Sequence, residues 1–434
     1  MNITHMYKRA FTYTGIEAAF YQISLLAHQV CLYNYIGASA YGTIGTLFSF
    51  IFLAINYLNF GLDKSIAPFF HHARTSKKAF SLLIFKQIIA HIAITTSCLA
   101  SFFLLLQHYE PFHTLLHAFT PITLGISCAI ILAESIKRTC KTVLHLALYH
   151  RLVSMVEVVG IAGYIVTVWL YLLTSQAPSL VIFFLPMLIS SFSAIIVLGI
   201  ATYHYYQTLE AKHEIALQWQ AIAKARCSAY AYDMSHSWHT ANFLVPLFAY
   251  THGVQLAGLL KLVSMCAHSL NSILIHIFGI TTDTLFSRLK EQSTSYKEHL
   301  FAHINSHLVK TLTLIMVILL GHYPFLTLYS GMPNETIYIC SLFVLLILSE
   351  NSIITYERFF ILEQRTWFLV ACNLFTASIF WGLYYMLALH TDATKTLYIL
   401  IASRACSFLI IMYAAYILWD LRTSWRTSKV TVDL

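Results

Sequence analysis

The chain has 434 residues and a net charge of +8, yet 58% of it is hydrophobic and only 10% charged. Soluble domains carry roughly 25% charged residues, so this composition excludes a water-facing globular protein. It points to an all-α polytopic membrane protein whose Lys and Arg reflect loop topology rather than a nucleic-acid partner.

A bilayer core takes about 20 apolar residues per helix, which predicts about twelve spans. They fall near 12–36, 42–61, 80–106, 114–136, 152–174 and 179–203, then near 229–250, 255–279, 304–328, 336–355, 366–389 and 396–419. A polar stretch between the sixth and seventh carries Glu210, Lys212, Glu214, Lys224 and Arg226. It reads as an amphipathic linker, 205–228, between a six-helix bundle at 1–204 and another at 229–434.

Two glycine pairs suggest that the halves are copies of one unit. Gly37 and Gly42 precede the second span, and Gly253 and Gly258 precede the eighth, 216 positions later. The second span ends near Gly61 and Asp63, and the eighth ends at Gly279 and Asp283. Basic residues follow each, Lys64 and Arg74 in the first half and Arg288 in the second, and these five charged positions are expected to form a cytoplasmic gate. With an even number of spans, alternate loops must agree in charge. Nearly all Lys and Arg fall on the side of the N-terminus, including Lys137, Arg138 and Lys141, whereas the opposite loops hold only Lys395. Both termini are therefore expected in the cytoplasm.

Ionisable groups within a span point to a protein-lined cavity, because facing lipid is costly. In the first helix Glu17, Tyr21, Ser24 and His28 share a face; in the second, Asn56, Asn59 and Asp63 do. The seventh carries Asp233, His236, Ser237 and Thr240, and the eighth Lys261, Ser264, His268 and Ser272. Stripes like these also arise where Ser, Asn and His satisfy one another across ordinary helix contacts. Arg404 lies about 12 Å into the last span at 1.5 Å per residue, so it either pairs with a buried carboxylate such as Glu17 or Glu157 or faces an anionic substrate.

The nine cysteines and 22 histidines show no metal-ligand spacing, and no phosphate-binding loop or catalytic nucleophile motif is present. No metal, no cofactor and no enzyme activity is expected. Glu17, Asp233 or a stripe histidine could couple to a proton or sodium gradient, and transport could also be coupled to the membrane potential.

The segment GASAYGTIGTLFSF, followed by GLDKSIAPFF at the end of the second span and FSRLKEQ at the end of the eighth, resembles the polysaccharide flippases of the O-antigen translocase type. These belong to the multidrug/oligosaccharidyl-lipid/polysaccharide exporter superfamily. The resemblance implies a V-shaped pair of six-helix bundles with a cavity lined by the first, second, seventh and eighth helices. It implies export of an undecaprenyl-pyrophosphate-linked oligosaccharide across a bacterial cytoplasmic membrane for surface polysaccharide synthesis, alongside other polysaccharide-assembly proteins. Arg404 and Lys261 would be its basic cavity residues, with Glu17 and Asp233 making the lining mixed in sign. A cation-coupled multidrug exporter of the same superfamily and a non-transporting envelope-assembly scaffold are the alternatives.

Overall fold

The computed structural model describes residues 3–74, 76–108, 121–174, 180–209, 219–267, 269, 313, 316, 320, 334–362, 365–387 and 392–430. Among them every regular element is a helix. The first half contributes α1 (Ile3–Ile36), α2 (Ala38–Leu58), α3 (Lys86–His108), α4 (Pro121–Leu146), α5 (His150–Thr174) and α6 (Val181–Thr208). The second contributes α7 (Trp219–His236), α8 (Ala241–His252), α9 (Val254–Ala267), α10 (Asn334–Leu362), α11 (Thr366–Met386) and α12 (Ala393–Val430). Six of the described helices are long and apolar enough to cross a membrane, and α9 and the first part of α10 form shorter apolar helices. The span expected at 304–328 lies outside the described residues except at three isolated positions.

The glycines explain the first break in each half. Gly37 ends α1 at φ +81°, and Gly253 ends α8 at φ +91°, a conformation that L side chains rarely adopt. These turns are 216 positions apart, and the same offset recurs at other boundaries. It separates the ends of α1 and α8, at Ile36 and His252, and those of α4 and α10, at Leu146 and Leu362. It also separates the starts of α5 and α11, at His150 and Thr366. Packing follows suit: α4 lies along α6, α1 along α5 and α5 along α6, just as α10 lies along α12, α7 along α11 and α11 along α12. The chain is a duplicated helical unit in which α7 and α8 together match α1, interrupted by a tight 3-10 turn at Ser237–His239.

Each half buries its own core. One cluster runs from Leu32 to Phe184 around Ile55, Ile130 and Phe183, and another from Trp238 to Leu400 around Leu244, Phe343 and Leu397. The halves meet where α2 crosses α9. A Cβ on Gly42 would fall 1.9 Å from the Val254 carbonyl oxygen, and one on Gly258 would fall 2.8 Å from the Gly42 Cα. Gly42 and Gly258 are equivalent in the repeat and touch each other, which places the pseudo-two-fold axis between them.

Residues 205–208 and 219–228 of the expected amphipathic linker are helical, in α6 and α7. One sequence expectation changes. The charges Lys137, Arg138 and Lys141, read as loop residues, lie within α4, which runs on to Leu146. They remain inside the bundle because each finds a polar partner there.

Candidate functional site

The first half encloses a cavity of about 950 Å³, its open mouth included. Its wall is largely apolar and aromatic, with Tyr21, Tyr41, Phe48, Phe52 and Tyr164 among the lining residues, and four charged side chains reach it: Glu134, Lys137, Glu157 and Lys261. The lining comes from α1, α2, α4, α5, α6 and α9. Of the expected first, second, seventh and eighth spans, α1, α2 and α9 contribute to this cavity; α4 and α5 also turn charged residues inward, whereas α7 packs its polar residues against the Lys64 end of α2 and against α10.

Three of the four charges belong to one network. Lys137 sits 2.8 Å from Glu134 and 3.9 Å from Glu157. Lys141 lies 3.4 Å from Glu157 and donates to Glu17 Oε1 at 2.6 Å. Ser154 donates to Glu17 Oε2 at 3.0 Å, and Ser191 donates to Glu134. Charges this deep are costly unless paired and hydrogen-bonded, and every member here is. Glu17 is 2% exposed and stands behind the wall; Tyr21, one turn further, is the stripe residue that reaches the cavity. Arg138 donates to Asn56 Oδ1 at 2.8 Å and ties α4 to α2.

The fourth charge is of another kind. Lys261 comes from α9 in the second half yet lies in the first half's cavity, 8% exposed, donating to Ser49 Oγ at 3.0 Å. Its path is opened by Gly45, where a Cβ would stand 3.0 Å from the Lys261 Cγ. Among the described residues no carboxylate lies within ion-pair distance of its ammonium; its hydrogen-bond partner is the neutral hydroxyl of Ser49.

The other predicted residues are dispersed. His28 is buried edge-on to Tyr164 and Trp169, and neither of its ring nitrogens has a hydrogen-bond partner among the described residues. Asn59 donates to Asp63 Oδ1 at 2.6 Å at the end of α2. The next residue, Lys64, forms an ion pair with Asp233 of α7, so a predicted gate residue and a predicted cavity residue bind each other. Arg74 follows the short helix Phe70–Ala73, with its backbone N–H on the Phe70 carbonyl. Arg404 is fully buried in the second half, away from the cavity, and interacts electrostatically with Glu357 and Tyr232 rather than with Glu17 or Glu157. His236 stacks on Tyr232, and its Nδ1 lies 3.5 Å from Glu357. His268, Asp283 and Arg288 lie outside the described residues.

Sequence reasoning passed over Glu134, Lys137, Lys141 and Glu357. The signal was there for the α4 residues: Glu134, Lys137 and Lys141 follow i, i+3, i+7 and lie on one helix face. Counting them as loop charges hid it.

No family model matches the sequence, and no curated protein matches it. Solved structures do. The chain is similar to an outward-facing multidrug resistance MATE family transporter of the MOP superfamily, with a TM-score of 0.69, 12% identity, and 98% of this chain and 97% of that one covered. A mutant of the Vibrio cholerae MATE transporter VcmN matches with a TM-score of 0.66, 15% identity, and 97% and 98% covered. A MATE in a bent conformation matches with a TM-score of 0.63, 11% identity, and 97% of each chain covered.

Proposed function

With the MATE transporter fold as its frame, we propose that this protein is an alternating-access transporter that carries an amphipathic anion through the bilayer. The substrate class that fits best is a prenyl-pyrophosphate-linked oligosaccharide, moved across a bacterial cytoplasmic membrane for surface polysaccharide assembly. The observation that carries this reading is Lys261, a buried ammonium facing a largely aromatic cavity with a hydroxyl as its partner. Such a group is costly to bury and gains most from an anion. The aromatic lining offers faces to sugar rings and to the start of a prenyl chain, whose remainder can stay in lipid. Alternating access then needs no hydrolysis, only rocking of the two halves about the α2–α9 crossing. With both termini in the cytoplasm, outward movement of negative charge is driven by an inside-negative potential, at about 2.3 kcal/mol per charge per 100 mV.

The second reading, a multidrug exporter acting on organic cations, draws support from Glu134 and Glu157 in the wall and from the structural neighbours, which are multidrug transporters. It ranks second because both carboxylates already hold lysines. Binding to the purified protein separates the two. Prenyl pyrophosphate should bind the wild type and lose at least about tenfold in affinity in Lys261→Ala, the cost of one charged hydrogen bond. An organic cation that binds with or without Lys261, and is lost in Glu157→Gln, would favour the exporter.

A further inference from the structure

Glu17 of α1 corresponds to Asp233 of α7, and Lys141 of α4 corresponds to Glu357 of α10, each pair 216 positions apart like Gly37 and Gly253. In the first half the two partners are of opposite sign and join within their own bundle, Lys141 to Glu17 at 2.6 Å. In the second half both positions are acidic, so that pair cannot form.

Each acid is satisfied elsewhere. Glu357 accepts from the Tyr232 hydroxyl, has His236 Nδ1 at 3.5 Å and interacts with Arg404. Asp233 pairs with Lys64, which belongs to the other half. The Lys64 ammonium also rests 4.6 Å above the ring of Tyr232, the residue that donates to Glu357. Around this pair the halves are joined again. Tyr57 and Ser237 share a hydrogen bond of 2.6 Å, and Arg226 of α7 donates to the Phe60 carbonyl at 3.0 Å and to Gln87 at 2.7 Å. The Glu17 and Lys141 side chains are 3% and 17% exposed, whereas those of Asp233 and Lys64 are 13% and 37% exposed. The pair across the halves is therefore the more exposed of the two, chiefly through Lys64.

We infer that the Lys64–Asp233 ion pair is a latch closing the Lys64 end of the transporter, and that Glu357, standing where the repeat has a lysine, is the positioning residue that commits Asp233 to it. Among the described residues, the acid at 357 leaves Asp233 with no lysine in its own bundle, only His236 of the same helix, and holds Tyr232 beneath the Lys64 ammonium. Alternating access in a repeat-built transporter works by changing contacts between its halves, and one sign reversal in a duplicated pair turns an internal brace into such a contact.

Cross-linking reads this directly. In full-length protein whose nine native cysteines are replaced by serine or alanine, Tyr57→Cys and Ser237→Cys report closure through a short bifunctional maleimide that spans the gap left by the tyrosine ring. Lys64→Gln and Asp233→Asn should each slow cross-linking about fivefold, the weight of one partly exposed ion pair, and the exchanged pair Lys64→Asp with Asp233→Lys should restore it. Glu357→Lys should also slow it, because Asp233 then acquires an internal partner, while Glu357→Gln, which supplies no cation and can still accept from Tyr232, should slow it less. Unchanged cross-linking in Lys64→Gln and Asp233→Asn, or no recovery in the exchanged pair, would overturn the latch. Undiminished cross-linking in a folded Glu357→Lys protein would overturn the role of Glu357. Lys64 and Asp233 lie at the partly exposed end, so the latch remains testable even if the buried Glu357→Lys change prevents folding.

Discussion

Lys261 lies across Gly45, and the two residues hold the same place in the two halves, 216 positions apart. One half supplies a cation at this position and the other supplies the space for its stem. The duplication therefore yields a cavity that is not symmetric: it belongs to the first half and receives its distinguishing charge from the second. Gly45 should then be a functional position although it carries no functional group. Alanine favours a helix interior over glycine by about 1 kcal/mol, so Gly45→Ala should not destabilise the protein. Its Cβ would stand 3.0 Å from the Lys261 Cγ, so the ammonium must shift, and Gly45→Val should displace it from Ser49 altogether. Thermal unfolding and anion binding, measured on the same samples, should move independently, with binding falling in the order Gly, Ala, Val.

The α2–α9 crossing makes a second prediction, opposite in sign. A Cβ at Gly42 meets the Val254 carbonyl at 1.9 Å, and one at Gly258 meets Ala38 and Gly42 backbone below 3 Å. Backbone cannot give way as a flexible side chain can, so Gly42→Ala and Gly258→Ala should each cost about 1–3 kcal/mol. Gly163 and Gly199, whose Cβ positions are open, should accept alanine with no loss. Unfolding midpoints of the four variants in one detergent check the contrast; equal behaviour would remove the crossing from the account.

The buried network around Lys141 should show strong coupling. Lys141→Met leaves Glu17 and Glu157 without that lysine, and removing one member of a buried pair costs about 3–5 kcal/mol. Glu17→Gln together with Lys141→Met removes charge on both sides and should cost clearly less than the sum of the single changes. A double-mutant cycle on unfolding free energy measures the difference. Additive losses would mean that the pair contributes little.

The architecture was legible because bilayer physics writes it into composition: apolar runs of fixed length and glycines at 37, 42, 253 and 258 announce the helices and their duplication. Two stripes, those of Glu17 and Asp233, led to real networks, and Lys261 was visible as a charge in an apolar run. The partners were harder to see. Lys141 and Glu357 lie near the ends of long helices, where a charge reads equally well as a loop residue, and only the fold shows that α4 carries Lys141 back against α1. Arg404 was recognised as deeply buried, but Glu357, its neighbour from α10, has no signature in sequence that links the two.

Passage of a charged lipid headgroup by way of Lys261 can be followed through the sidedness of a labelled prenyl-pyrophosphate oligosaccharide in proteoliposomes holding the wild-type protein or Lys261→Ala, with empty liposomes beside them. The label should move between leaflets only where protein is present, faster when a membrane potential favours movement of the anion and at least about tenfold slower in Lys261→Ala. Movement at the same rate in both proteins, or none beyond that in empty liposomes, would contradict passage by way of Lys261.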